Sequence, residues 1–210
     1  MTCGGSTNCS VRCRSRNDPP GVRWGRGRHH GHVPAGPGLR PGLIKTGRAG
    51  LAARAGHDLT IEITRWSAVV TLPGVGGGAE APKLTAELDL GSLKVIEGTG
   101  GAKPLSDKDR RDILGTAGKI LGGGTATYAS TGVNPAGSGG AIEGTLTLQG
   151  RSQPVRLQVE STGPGRYRGT ATVRQTDHGI TPYSGFFGAL KLKDEVGVEV
   201  EADLTRAARE

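Results

Sequence analysis

Between Gly140 and Glu160 the side chains switch between apolar and polar at nearly every residue, in two runs separated by a short break. In the first run Ile142, Leu146 and Leu148 share one parity with Gly144, while Glu143, Thr145, Thr147 and Gln149 take the other. After Gly150-Arg151-Ser152-Gln153-Pro154 the pattern restarts, with Val155, Leu157 and Val159 opposed to Arg156, Gln158 and Glu160. A period of two sends each set to one face of a pleated strand. Gly150 and Pro154 bound a short connection, so the two runs predict an antiparallel hairpin with one apolar face. An isolated hairpin is marginal in water, so that face must be covered by more chain.

The covering elements are legible on both sides. Leu39–Thr46 reads as a first strand, followed by an Ala-rich stretch able to form one or two helical turns ended by Gly56. A long strand is predicted from Leu59 to Leu72. Leu59, Ile61 and Ile63 share one parity but Trp66, Ala68, Val70 and Leu72 take the other, and this slip at Thr64–Arg65 predicts a β-bulge. Pro73–Pro82 is a Gly-rich loop; Leu84, Ala86, Leu88 and Leu90 then alternate with Thr85, Glu87 and Asp89. Ser92–Lys103 reads as a connection. Ser106 can cap a helix whose apolar positions are Ile113, Leu114, Ala117, Ile120 and Leu121, with Gly122–Gly124 as its stop. Lys108, Arg110 and Arg111 are expected on its solvated face. Further strands are read at Thr125–Thr131 (Ala126 and Tyr128 on one side), at Arg166–Arg174 (Tyr167, Gly169, Ala171 and Val173), and at the close (Val196, Val198, Val200, Ala202 and Leu204).

About eight or nine strands with turn signals at short intervals and one helix predict an all-β sandwich or closed barrel. In an up-and-down barrel of about eight strands the dry rows point inward around a space able to hold one small ligand. The expected lining is Leu59, Ile61, Ile63, Leu84, Leu88, Tyr128, Ile142, Leu146, Leu148, Val155, Leu157, Val159, Ala171, Val173, Val196 and Val198. Aromatic residues make up only 3% of the chain, so few large rings are available to fill that space. Aliphatic walls suit a hydrophobic, elongated small molecule of isoprenoid or fatty-acid type better than a charged one. The competing expectation is a ligand-free structural or stress-response interaction protein in which the same rows pack a solid core.

The basic net charge is weak evidence for a nucleic-acid partner, and no specific one is expected. Seven Arg and one Asp lie in residues 1–42, so six of the eight net positive charges belong to an N-terminal arm, and the remainder is near neutral. That arm, residues 1–38, is rich in Gly, Pro, Arg and Ser and is expected to be disordered. The domain proper is expected over residues 39–206, with a tail at 207–210. Cys9, Cys13, His29, His30 and His32 could ligate a metal, but their spacing matches no common zinc pattern, and no metal or other cofactor is expected. All three cysteines (Cys3, Cys9 and Cys13) sit in the arm, so no disulfide framework holds the domain. With no apolar leader and no bilayer-length apolar run, the expectation is a soluble, cytoplasmic protein, with homodimerisation through edge strands left open.

Four stretches together resemble the YceI-like proteins, bacterial lipocalin-like barrels described as polyisoprenoid-binding. They are Gly56-His57-Asp58-Leu59 opening a long strand, Gly144-Thr145-Leu146-Thr147-Leu148-Gln149-Gly150 followed by Pro154-Val155, Asp177-His178-Gly179-Ile180, and the closing Leu192–Asp203. The resemblance spans roughly residues 43–204 and is similar to the cytoplasmic, actinobacterial-type branch in its Thr46–Leu59 and Lys103–Arg111 segments. It implies an antiparallel up-and-down lipocalin-like barrel with one α-helix between strands, an isoprenoid tail in the lumen, and no catalysis. The chain departs from many relatives at His178, where they carry an aromatic, and at Gly122–Tyr128, where they have a Pro-containing aromatic segment.

His57, Asp58, Asp177, His178 and Ser184 admit three roles. His57 and Asp58 can cap the helical turn and hydrogen-bond loop backbone at one barrel end; His57, Asp58, Asp177 and His178 can be polar contacts at the barrel mouth, meeting a ligand head group; or some can be catalytic. No Gly-x-Ser-x-Gly elbow or His-Glu-x-x-His motif accompanies them, and no catalytic residue is assigned.

Overall fold

The protein was described from a computed structural model covering residues 9–14, 32–34, 40, 42–72 and 81–204, with backbone alone at 9–14, 32–34 and Leu72. In chain order the strands are β1 (Cys9–Arg14), β2 (His32–Pro34), β3 (Gly42–Thr46), β4 (Arg48–Ala49), β5 (Asp58–Ile63), β6 (Trp66–Leu72), β7 (Lys83–Asp89) and β8 (Leu93–Thr99). The helix α1 (Asp107–Leu121) follows. Then come β9 (Thr125–Ala136), β10 (Gly139–Leu148), β11 (Arg151–Gly163), β12 (Arg166–Arg174), β13 (Ser184–Gly185), β14 (Leu190–Leu192) and β15 (Glu195–Asp203).

The opening hairpin forms in the predicted register, with Ile142 opposite Leu157 and Gly144 opposite Val155. Its connection is tighter than expected. Gln149 and Gly150 take φ of 51° and 73°, a two-residue turn of the type whose twist suits a hairpin, so β11 starts at Arg151 and includes Pro154. Proline is tolerated there because registered pairing of β11 with β12 begins only at Gln158 opposite Thr170.

Neighbouring strands in the large sheet run β6-β7-β9-β10-β11-β12-β15-β3-β5-β8. The two ends of this run of ten, outside one of which β1 and β2 are added next to β6, are covalently continuous: β5 passes into β6 through Thr64 and Arg65, and β7 into β8 through Leu90–Ser92. Taking each pair as one bent stave makes eight antiparallel staves that curl into a lipocalin-like barrel.

The bend corrects the expected bulge. Ile63 and Trp66 do share one apolar cluster, as the parity slip requires. Yet β5 pairs with β3 and β8 while β6 pairs with β7, so the chain turns a corner rather than inserting a residue into one ladder. The partner stave turns with it. Buried Ser92 holds the turn: its hydroxyl accepts from the Arg65 N–H at 2.9 Å and donates to the Asp89 carbonyl at 2.7 Å. The Asp89 carboxylate accepts from the Gly91 N–H and from the Arg65 guanidinium. True register shifts lie elsewhere, at Glu143/Gly144 on β10, at Ser161/Gly163 on β11 and at Thr60/Ile61 on β5.

α1 forms as the capping signals predict. The Ser106 hydroxyl accepts from the Asp109 N–H, the Asp109 carboxylate accepts from the Ser106 N–H at 2.9 Å, and Gly122 ends the helix at φ 67°. Arg110 corrects the expected solvated face: it donates at 3.0 Å to the carbonyls of Val95 and Ile96. These belong to β8, whose far edge has no strand beside it among the described residues, so the guanidinium supplies donors there. The Ala-rich stretch makes a single 3-10 turn at Ala53–Ala55, and Gly56 is extended rather than left-handed. A side chain at Gly56 would strike Leu190. The expected connection at Ser92–Lys103 contains β8, hidden in the sequence because its period breaks at Ile96, which is 42% exposed.

Within residues 1–38, the backbone of β1 pairs with β6 and that of β2 with β1 in place of the expected coil. The rest of that arm, with the ligand candidates His29 and His30, and the 207–210 tail lie outside the described residues, and of the candidates Cys9, Cys13 and His32 the backbone alone is described.

Candidate functional site: the concave face of the barrel

The inward rows make two unlike walls. On one, Ile63, Trp66 and Ala68 are buried against Ile44, Leu84, Leu88 and Val200. Above them toward the helix end, Leu59, Ile61 and Val95 are buried beneath Leu105, Ile113 and Leu114. Here the predicted lining residues Leu59, Ile61 and Ile63 are core rather than open surface.

The opposite wall is different. Along β11 the polar outward residues are exposed, while the inward Val155, Leu157 and Val159 are only half-buried. Ile142, Leu146 and Leu148 on β10, Ala171 on β12, and Val196 and Val198 on β15 are likewise half-buried, whereas Val173 is buried. An inward apolar row that water still reaches lines space rather than filling it. Small residues keep the wall thin. Side chains on Gly169 would collide with Val200 and Leu157, and one on Gly144 with Tyr128.

Tyr128 is the large polar group on this face. Its hydroxyl donates to the carbonyls of Ile142 at 3.1 Å and Val155 at 3.3 Å, tying β9 to β10 and β11. Burial, with a smaller contribution from the Glu143 carboxylate, pushes its hydroxyl up to about 12. On the packed wall the Trp66 indole N–H is buried with no hydrogen-bond partner among the described residues.

The four polar residues expected at the mouth lie at the helix end, and their bonds run mostly to backbone. His57 Nε2 lies 2.7 Å from the Lys103 carbonyl. Asp58 accepts from the Arg48 N–H at 2.8 Å and faces the Arg48 guanidinium, which also reaches the Gly56 carbonyl. The Asp177 carbonyl accepts from Gln153 at 2.9 Å. His178, only 2% exposed, places Nδ1 3.1 Å from the Arg151 carbonyl. The last two bonds bridge the stretch where β11 and β12 are not in register, which explains why a turn after β12 folds back onto β11. Ser184 lies on β13, in a separate three-stranded sheet with β14 and β4. Sequence reasoning left out Ile44, Trp66, Ala68, Val95 and Val200 from the inner surface. The alternation of β6 and β15 carried that signal for Trp66, Ala68 and Val200, but nothing local marks Ile44 or Val95.

A groove of about 420 Å³ lies apart from this face, on the outer side of β10 and β11, with Ala141 at its floor among Asn134, Arg156, Gln158 and Glu160. Among the described residues no cluster of three or more His, Cys, Asp or Glu could hold a metal ion. No helix among them is long and apolar enough to cross a membrane.

A curled antiparallel barrel with an apolar, partly open concave face is the architecture of small-molecule-binding barrels. Residues 62–204 match the YceI-like domain, and the chain belongs to that family. Among solved structures it is similar to BcnA of Burkholderia cenocepacia, at 16% identity and a TM-score of 0.52 over 76% of this chain and 94% of that one. It is also similar to a polyisoprenoid binding domain from Saccharophagus degradans implicated in plant cell wall breakdown (13% identity, TM-score 0.43, 78% and 94% covered). The YCEI protein of Campylobacter jejuni follows at 16% identity and a TM-score of 0.44, with 68% and 83% covered. No curated protein matches the chain.

Proposed function

We propose that this protein binds a polyisoprenoid or similar long-chain lipid along the concave face of its barrel and performs no covalent chemistry on it. The observation that carries this reading is the half-buried inward row of β11, continued by Ala171, Val196 and Val198. Ile44, Leu84, Leu88 and Val200 on the opposite wall are also half-buried but pack against a buried cluster, whereas none of these residues joins either buried cluster among the described residues. Membership of the YceI-like family supports the same class of ligand. The bonds of His57, Asp58 and His178 to the chain's own backbone and to Arg48 favour a structural role for them over acid–base work.

The reading is tested by purifying the full chain from cells, denaturing it and extracting with organic solvent for mass spectrometry. A stoichiometric long-chain lipid is expected. Protein that is repeatedly empty, and that also fails to quench or shift a fluorescent polyprenyl probe, would overturn the reading in favour of the packed-core interaction protein.

A further inference from the structure

Three large apolar side chains stand out into solvent at one place: Leu51 is 101% exposed, Phe186 64% and Phe187 113%. They occupy two neighbouring turns. Strand β4 leads to Leu51 and pairs with β14, with Lys191 opposite Ala49, and the Ala52 N–H donates to the Ala189 carbonyl at 2.9 Å. The Phe186–Gly188 turn immediately precedes β14, so both tips project at the same end of the small sheet. Phe186 and Phe187 sit at φ of 49° and 54°, the left-handed region that bulky side chains rarely adopt. The fold therefore holds two phenyl rings out of contact on backbone that glycine would occupy with less strain.

The surroundings are basic. Residues 42–57 and 179–193 contain Lys45, Arg48, Arg54, Lys191 and Lys193 and no acidic residue, and the bordering carboxylates are taken up elsewhere, Asp58 by Arg48 and Asp194 by Thr176 and Arg174. Lys45 is paired with Glu199 and Arg48 with Asp58, whereas Arg54, Lys191 and Lys193 make no ion pair among the described residues. Projecting apolar tips ringed by uncommitted cations match the boundary of an anionic bilayer, where rings enter the acyl region and cations meet phosphates. A flat protein interface would instead call for a level patch with its rings covered at the edges.

We propose that this end of the barrel docks on anionic membrane surfaces, with Leu51, Phe186 and Phe187 inserted and Arg54, Lys191 and Lys193 at the lipid phosphates. Docking is independent of what occupies the concave face, so its test is separate from the extraction experiment. The full chain is floated with phosphatidylcholine vesicles, with and without phosphatidylglycerol, at low and high salt. Wild type is expected to float with the anionic vesicles, less so at high salt. L51S/F187S is expected to lose partitioning by roughly a hundredfold, since each buried apolar side chain contributes about tenfold. R54E/K191E is expected to lose the preference for anionic vesicles. F187W should add blue-shifted emission when vesicles are present, a readout of insertion that ionic attraction alone does not give. Both double variants should keep the parent melting temperature, because the altered side chains are exposed. Absence of flotation, or flotation unchanged in L51S/F187S, overturns the proposal. So does a vesicle-free dimer that L51S/F187S dissolves, which assigns the patch to a second copy.

Discussion

The phenol of Tyr128 on β9 occupies the space that any side chain on Gly144 of β10 would need. The glycine opens a gap in the inward row, and the ring covers it while its hydroxyl reaches the carbonyls of Ile142 and Val155. An aromatic laid over a strand glycine restores packing where the strand itself has none. The pair is therefore a single structural unit across three strands.

One consequence is steric. Gly144→Ala should force Tyr128 out and destabilise the barrel by about 2 kcal/mol or more. Added to Tyr128→Ala, the same substitution loses its clash with the ring but keeps the one with the Ala129 carbonyl, so its cost should fall in part. A double-mutant cycle by urea denaturation measures that coupling, and additive effects would refute it.

Another is alkaline sensitivity. The Tyr128 hydroxyl is held up to about 12 in the fold, against 10.0 for a free tyrosine. The unfolded chain therefore gives up this proton first as pH rises. Its stabilisation is complete below pH 10 and declines between 10 and 12. Tyr128→Phe should flatten the fall in stability over that window, compared with wild type, in denaturant melts from pH 8 upward. Equal slopes in the two proteins would be the contrary result.

At the corner, Ser92→Ala leaves the Arg65 N–H and the Asp89 carbonyl without their buried partner. A loss of about 1–3 kcal/mol is expected in the denaturation midpoint. Asp89→Ala and Arg65→Ala remove a partly exposed pair, and their mutual coupling should stay below about 1 kcal/mol.

Trp66 gives a size-against-polarity contrast. Its indole N–H has no partner among the described residues, so Trp66→Phe should cost much less than Trp66→Ala. Removing the whole ring from the buried cluster should cost about 3–5 kcal/mol. Thermal melts of the two variants compare them directly.

For the ligand, Ala171→Trp places a bulky ring on the half-open wall. Affinity for a polyprenyl probe should fall at least about tenfold, as a steric clash of a few kcal/mol requires, while the melting temperature changes little. Unaltered probe binding would place the ligand elsewhere, the outer groove beside Ala141 being the next surface to examine.

Several elements could be read without coordinates because their causes are local. The Ser106 cap, the Gly122 stop and the apolar face between them specify α1. Strict alternation specifies β10, β11, β12 and β15. β8 was missed because two in-phase residues, Leu93 and Val95, are followed by the register shift at Ile96. Arg110 was misjudged because a charge at a helical position is ordinarily solvated, and only the unpaired edge of β8 gives it carbonyls to bond.

What the amino-acid order determined by itself is which side of each strand avoids water, since the two-residue period follows from backbone geometry alone. It also marked Thr64–Arg65 as the place where the dry side changes. Only the assembled fold decided that this change is a corner at which the chain passes from one pair of neighbours to another, and that Leu59 and Ile61 lie under α1 while Leu157 and Val198 stay half-buried outside the packed clusters. Those outcomes depend on contacts between residues far apart in the chain, such as Ser92 with Arg65 and Tyr128 with Val155. No pattern of neighbouring residues encodes how much of an inward row its distant partners will cover.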